Sequence, residues 1–198
     1  MNRHLSVTNQ KKALRAEILG KRREMPAERR EAADASITAQ ILEHPDFIRA
    51  KTVFAYVSMP HEVRTRELLC RILAAGKVLG LPVCDAGTHT LTFYRLDSCD
   101  ELTEGKYRIP VPPVSEERLL TPDADTLVLV PMLAFDDDGY RLGAGGGYYD
   151  RFLAAYGHCV RIIGICYAEN RIAHLPHDAY DQKIPCCITE QKQEERYG

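Results

Sequence analysis

Ten consecutive residues, Arg141-Leu142-Gly143-Ala144-Gly145-Gly146-Gly147-Tyr148-Tyr149-Asp150, concentrate the groups that phosphate chemistry needs. Without Cβ atoms, the four glycines let the backbone enter unusual conformations and approach a ligand closely. Their N–H groups, with a helix N-terminus behind them, suit phosphate oxygens. The Arg141 guanidinium can fork onto two such oxygens. Tyr148 and Tyr149 can wall or stack on a planar ligand. Asp150 is placed either to hold Mg2+ beside the phosphates or to cap the following helix. The run lacks the Gly-Lys-Ser/Thr ending of a Walker A loop and is no clean dinucleotide fingerprint.

The elements around the run tell how it is held. Gln10 to Arg23 reads as a helix, with Leu14 and Ile18 on one face and Glu17 and Lys21 paired on another. Pro26 suits the first turn of a second helix with Ala33, Ile37 and Ile41 as its apolar stripe. Thr52–Val57, Val78–Val83, Leu91–Leu96, Val160–Cys166 and Ile184–Ile188 read as strands, and 109–113 as a Pro-rich extended segment. Arg66 to Ala75 reads as a helix closed by Gly76, and Arg151–Tyr156 as another. Thr126–Val130, apolar or β-branched throughout, predicts a central strand buried on both faces. Strands alternating with helices predict an α/β fold: a single three-layer, Rossmann-like domain over 1–198 with a mainly parallel central sheet. Residues 1–9 are expected to form a flexible extension. The glycine run follows the most buried strand, at the end of the sheet where ligands of such folds sit.

Bulk properties narrow the function. An apolar fraction of 45% and a charged fraction of 27% are those of a globular protein. The net charge of −2 argues against nucleic acid as a partner. Charge is nevertheless uneven: residues 1–30 hold Lys11, Lys12, Arg15, Lys21, Arg22, Arg23, Arg29 and Arg30 against only Glu17, Glu24 and Glu28. Most of these cations read as the solvated face of a helix, from which a small anion could recruit one or two. No aromatic platform for RNA is interleaved with them. The seven cysteines are odd in number and lack a C-x-x-C, which predicts buried reduced thiols in a cytoplasmic protein, without disulfides or zinc. No stretch approaches membrane-spanning length, so no membrane partner is expected. His174 and His177 flank Pro176 without further ligands and read as loop residues.

Ala134-Phe135-Asp136, Gly139 and the run from Arg141 to Arg151 together resemble the motif of the 5-formyltetrahydrofolate cyclo-ligase family, also called 5,10-methenyltetrahydrofolate synthetases. Three weaker elements occur in order around it: Lys11-x-x-Leu14-Arg15, Glu62-Val63-x-Thr65, and Leu175-Pro176 followed by Asp181, Thr189 and Glu190. The resemblance implies ATP-driven cyclisation of 5-formyltetrahydrofolate to 5,10-methenyltetrahydrofolate, releasing ADP and phosphate. It implies catalytic roles for Lys11, Arg15 and Arg141. It implies ATP binding by Lys11, Lys12, Ala13, Leu14, Arg15 and Arg141 through Tyr149, that is Arg141, Leu142, Gly143, Ala144, Gly145, Gly146, Gly147, Tyr148 and Tyr149. Folate contacts would fall to Arg15, Val57, Glu62, Ala144, Gly145, Gly146, Gly147 and Tyr148, and Mg2+ to Asp150 and Asp181. A monomer acting on two small molecules is the implied working form.

Three positions depart from the family pattern: Met132 stands where glycine is common, Tyr180 where histidine is, and Pro185 where aspartate is. They keep two alternatives open, a non-catalytic nucleotide- or folate-binding relative and an enzyme that activates a different small acceptor with ATP.

Overall fold

The computed structural model describes residues 6–105, 109–191 and 195–196. Of the proposed extension, residues 1–5 lie outside this range, while residues 7–9 are already helical. The Ser6 hydroxyl accepts from the Asn9 amide at 3.4 Å and opens α1 (Val7–Glu24). Pro26 precedes α2 (Ala27–Glu43), whose Ala33, Ile37 and Ile41 are buried as their spacing predicts. A short α3 (Pro45–Arg49), started by the His44 side chain accepting from the Asp46 amide, has no counterpart in the sequence reading. Then come β1 (Thr52–Phe54), α4 (Arg66–Ala74), β2 (Val78–Asp85), β3 (Thr90–Leu96), β4 (Thr103–Glu104), β5 (Pro110–Val111) and β6 (Leu119–Leu120). The second half holds β7 (Thr126–Pro131), β8 (Ala134–Phe135), β9 (Arg141–Leu142), α5 (Tyr148–Tyr156), β10 (Arg161–Ile165), β11 (Cys186–Ile188) and β12 (Glu195–Arg196).

The main sheet runs β12-β11-β10-β7-β1-β2-β3-β6. Its middle, from β11 through β10, β7 and β1 to β2, is parallel, and the edge pairings are antiparallel. Alternation along the strands divides the core. Val53, Leu127, Leu129 and Ile163 pack with α2, α3 and α4, whereas Phe54, Val128, Val130 and Ile162 pack with α5. Helices on both faces of a mostly parallel sheet make the expected three-layer α/β fold. A third cluster joins Ile18 of α1 to Leu133, Ala134, Leu142 and Leu175.

The chain runs from β1 outward to β2 on one side and returns to β7 on the other. That reversal opens a crevice beyond the carboxyl ends of β1 and β7, the place where open α/β sheets bind ligands. Arg22 fastens these ends together. It is fully buried, not part of a solvated face as its basic neighbourhood suggests. Its nitrogens donate to the carbonyls of His61, Met132 and Leu133 (each 2.9 Å), to Asn170 Oδ1 (2.8 Å) and to Cys166 Sγ (3.3 Å). The thiols also depart from expectation: Cys166, Cys186 and Cys187 are buried, but Cys70 and Cys84 are exposed and Cys99 and Cys159 half-buried. Among the described residues no helix is long and apolar enough to cross a membrane.

Candidate active site

The glycine run hangs on a ribbon where the sequence marks no strands. Strands β8 and β9 pair antiparallel, and Asp136 ties the turn between them. Its buried carboxylate accepts from the amides of Asp138 (3.1 Å), Tyr140 (2.8 Å) and Leu175 (2.9 Å). Asp136 therefore acts through position, by delivering Arg141 to the crevice. Beyond it, Gly145 (φ +106°) and Gly147 (φ +68°) occupy backbone conformations that side chains strongly disfavour, and α5 starts at Tyr148. Arg151 reaches back to the carbonyls of Gly146 and Gly147 at 3.3 and 3.1 Å.

A cleft of about 600 Å3, within the range of small-molecule sites, is lined by the whole loop from Arg141 to Arg151 together with Lys11, Arg15 and the segment 178–182. Its three central cations are held by oxygen partners. Lys11 Nζ contacts Asp178 Oδ2 at 3.1 Å and lies still closer to Asp181 Oδ2. Arg15 Nε donates to the Gly143 carbonyl at 2.8 Å. A Cβ on Gly145 would come within 3.2 Å of the Arg15 guanidinium carbon, so glycine lets the side chain lie along the loop. Burial lowers the Arg15 pKa, and Asp181 partly restores it. Arg141 contacts Asp150 Oδ1 at 2.9 Å and donates to the Gln182 carbonyl at 2.6 Å, while the Gln182 amide donates to Asp150 Oδ1 at 3.1 Å. Asp178 is held below the usual carboxylate range, first by the Tyr180 amide and then by Lys11.

Asp150 and Asp181 thus share the cleft, each committing one oxygen to its neighbours: Oδ1 of Asp150, and Oδ2 of Asp181 to Lys11 and the Asp178 amide. Among the described residues no three His, Cys, Asp or Glu groups cluster to cage a metal ion. The donor set suits a hard cation that takes one or two carboxylates and completes its shell with phosphate and water.

Glu62 stands apart from this cleft, in the loop after β1, and is buried, at 8% exposure. Its Oε2 accepts from the Met59 amide at 2.9 Å. Burial raises its pKa against the opposing pull of that amide and of Arg22. The Ser58 and Thr65 hydroxyls each accept the other residue's amide (3.2 and 3.1 Å), and Thr65 Oγ1 donates to the Tyr56 carbonyl (2.7 Å), closing the loop on itself. Two buried phenol oxygens nearby, Tyr56 Oη and Tyr149 Oη, have no hydrogen-bond partner among the described residues. Burial, then the charge of Glu62, drives the pKa of each upward. Tyr149 also lines the cleft, so one side chain both borders that cavity and feels the charge of Glu62.

The structure therefore gathers Lys11, Arg15, the run Arg141–Tyr149, Asp150 and Asp181 around one cavity, while Glu62 is buried outside it, with its charge felt by Tyr149. It does not gather all the candidates. Lys12 and Ala13 are exposed, off the face that carries Lys11 and Arg15, and Leu14 packs with the third core cluster. Val57 is half-buried against the main core. Met132 turns into the core over Gly164, where a Cβ would meet its sulfur at 2.7 Å, and is not among the residues lining the cleft. Tyr180 is exposed on the cleft rim. The sequence does not single out Asp178, Gln182 or His89, whose ring lies 5.5 Å from that of Tyr148, and it offers Arg151 only as the last residue of the motif. Only the Asp178-x-x-Asp181 spacing offered a signal. His177 stacks on Tyr140 at 3.7 Å and His174 is exposed beside Asp138, in keeping with loop roles.

Comparisons with known proteins fit this arrangement. The sequence model of the 5-formyltetrahydrofolate cyclo-ligase family matches residues 7–190. A Schizosaccharomyces pombe protein named a probable 5-formyltetrahydrofolate cyclo-ligase is 33% identical, over 79% of this chain and 83% of its own. The Mus musculus 5-formyltetrahydrofolate cyclo-ligase is 30% identical, over 91% of this chain and 93% of its own. The NMR structure of Aquifex aeolicus 5,10-methenyltetrahydrofolate synthetase superposes with a TM-score of 0.77 at 31% identity, covering 94% of this chain and 92% of that one.

Proposed function

The chain belongs to the 5-formyltetrahydrofolate cyclo-ligase family, and on that basis we propose that it converts 5-formyltetrahydrofolate to 5,10-methenyltetrahydrofolate in a reaction driven by ATP. The observation that best supports the reading is the cleft that sets Lys11, Arg15 and Arg141 around the glycine loop.

An amide oxygen leaves poorly, so the formyl oxygen first takes the γ-phosphoryl group of ATP. An O–P bond forms, the β–γ bridge breaks, and ADP is the leaving group. N10 of the folate then attacks the activated carbon. Phosphate departs with its oxygen, N10 loses its proton, and the five-membered methenyl ring is closed. No protein nucleophile is needed. The chain's part is alignment and neutralisation of the charge spread over the transferring group. Lys11 and Arg141 would meet the phosphate oxygens by giving up the carboxylates they hold, Arg15 through its terminal nitrogens while Nε keeps the Gly143 carbonyl, and the loop amides would add donors. Glu62 would fix the folate through its carboxyl group. Asp150 and Asp181 are the residues that would hold Mg2+, which shields phosphate charge when bound.

Mixing the protein with Mg·ATP and 5-formyltetrahydrofolate should produce the near-ultraviolet absorbance of the methenyl product, with ADP formed in equal amount. ADP without the methenyl chromophore would instead indicate another acceptor. Binding of both ligands without turnover would place the chain among non-catalytic relatives.

A further inference from the structure

Two thiols outside the cleft are in contact. Cys70 lies exposed on α4, and Cys99, half-buried, opens the 3-10 turn Cys99–Glu101; they are 29 positions apart. Their sulfurs are 3.0 Å apart, within about 1 Å of the length of a disulfide bond. The other thiols are placed differently: Cys84 is exposed on β2, Cys159 Sγ donates to the Tyr156 carbonyl at 3.2 Å, and Cys166, Cys186 and Cys187 are buried. The pair stands between two grooves, one lined by Cys70 and the other by Cys99, with Arg66 on both.

We propose that Cys70 and Cys99 form a reversible redox site that peroxide converts to a disulfide, stapling α4 to the segment that follows β3. In a reducing compartment, thiols this close are suited to transient oxidation and not to a permanent bridge. Burial, followed by the contact with Cys70, pushes the Cys99 thiol up to about 11, so it stays protonated while the more exposed Cys70 meets the oxidant. The Cys70 sulfur attacks one peroxide oxygen, the O–O bond breaks, and Cys70 sulfenic acid and water result. The Cys99 sulfur then attacks the Cys70 sulfur, the S–O bond breaks, and the departing hydroxide takes the Cys99 proton as a second water. Two thiols lose two electrons, and one peroxide becomes two waters. The covalent loop so closed contains β2 and β3, which should raise the Tm by several degrees.

The test is limiting hydrogen peroxide on the native full chain, followed by proteolysis under non-reducing conditions and mass spectrometry. The expected result is a Cys70–Cys99 linked peptide two hydrogens lighter than its reduced parts, with two fewer titratable thiols and full recovery in dithiothreitol. The link should persist in Cys159→Ser. In Cys99→Ser it should vanish, leaving Cys70 as a sulfenic acid that dimedone traps. Recovery of wild-type Cys70 over-oxidised but unlinked would overturn the proposal, as would linkage to another cysteine or to a second chain.

Discussion

Along one face of α1, Lys11 and Arg15 serve the cleft while Arg22, two turns further on, ties the strand ends together. Both regions hold buried or half-buried positive charge, yet their partners differ in kind. Lys11 is held by two carboxylates and Arg141 by a third, on the wall of an open cleft. Arg22 is held by three backbone carbonyls, an amide oxygen and a sulfur, away from solvent. A carboxylate is a charged, mobile oxygen that an incoming phosphate can replace. A main-chain carbonyl is part of the fold and cannot leave. The partner, more than the charge, separates a residue that handles ligands from one that positions them.

The contrast is broken most forcefully at Arg22. Arg22→Met orphans three carbonyls and should destabilise the fold by about 4 kcal/mol, read as a large fall in denaturant midpoint. If Arg22→Met instead leaves stability intact and abolishes turnover, the two regions are not distinct. Lys11→Ala and Arg141→Ala should do the reverse, cutting turnover roughly a hundredfold or more while the unfolding transition moves little. Glu62 sharpens the boundary through pH. Its folded-state pKa is raised above the ordinary 4.5, so the stability it contributes is present below that value and is lost as pH rises through the raised one. Glu62→Gln should flatten this decline in an unfolding-versus-pH series. A residual slope of the same sign should remain from Asp34, which burial also raises. The smallest effect is expected at Tyr56→Phe, which removes a buried hydroxyl without a partner among the described residues and should stabilise the fold by up to about 1 kcal/mol. A loss of stability there would mean that the oxygen has a partner in solution.

Much of this was legible in the sequence where one local rule decides the outcome. The unbroken apolar run Leu127, Val128, Leu129 and Val130 after Thr126 pointed to a central strand, and glycines at 145 and 147 marked backbone that other residues resist. The short ribbon β8–β9 escaped because two-residue strands have no period to detect. Arg22 escaped because in sequence it is one of a string of cations, and only tertiary contacts distinguish it from exposed Lys21. Asp178 and Gln182 escaped for a related reason: their partners, Lys11 and Arg141, are brought to them by the fold from 167 and 41 residues away. Glu62 shows the opposite case, where the resemblance named a residue whose burial nothing in its neighbouring residues foretold.

Arg22 also acts at a distance, as a fixed source of electric potential. No carboxylate among the described residues cancels its charge locally, and it opposes the burial-driven rise of Glu62 while lowering the pKa of His61 after burial has done so. Mobile ions cannot enter the packed interior to surround it, whereas they reach the open cleft freely. If the cleft takes the polyphosphate proposed for it, rising ionic strength should therefore weaken the hold of Lys11, Arg15 and Arg141 and leave the ionisation of Glu62 almost unchanged, making the proposed nucleotide side salt-sensitive and the proposed folate side salt-tolerant.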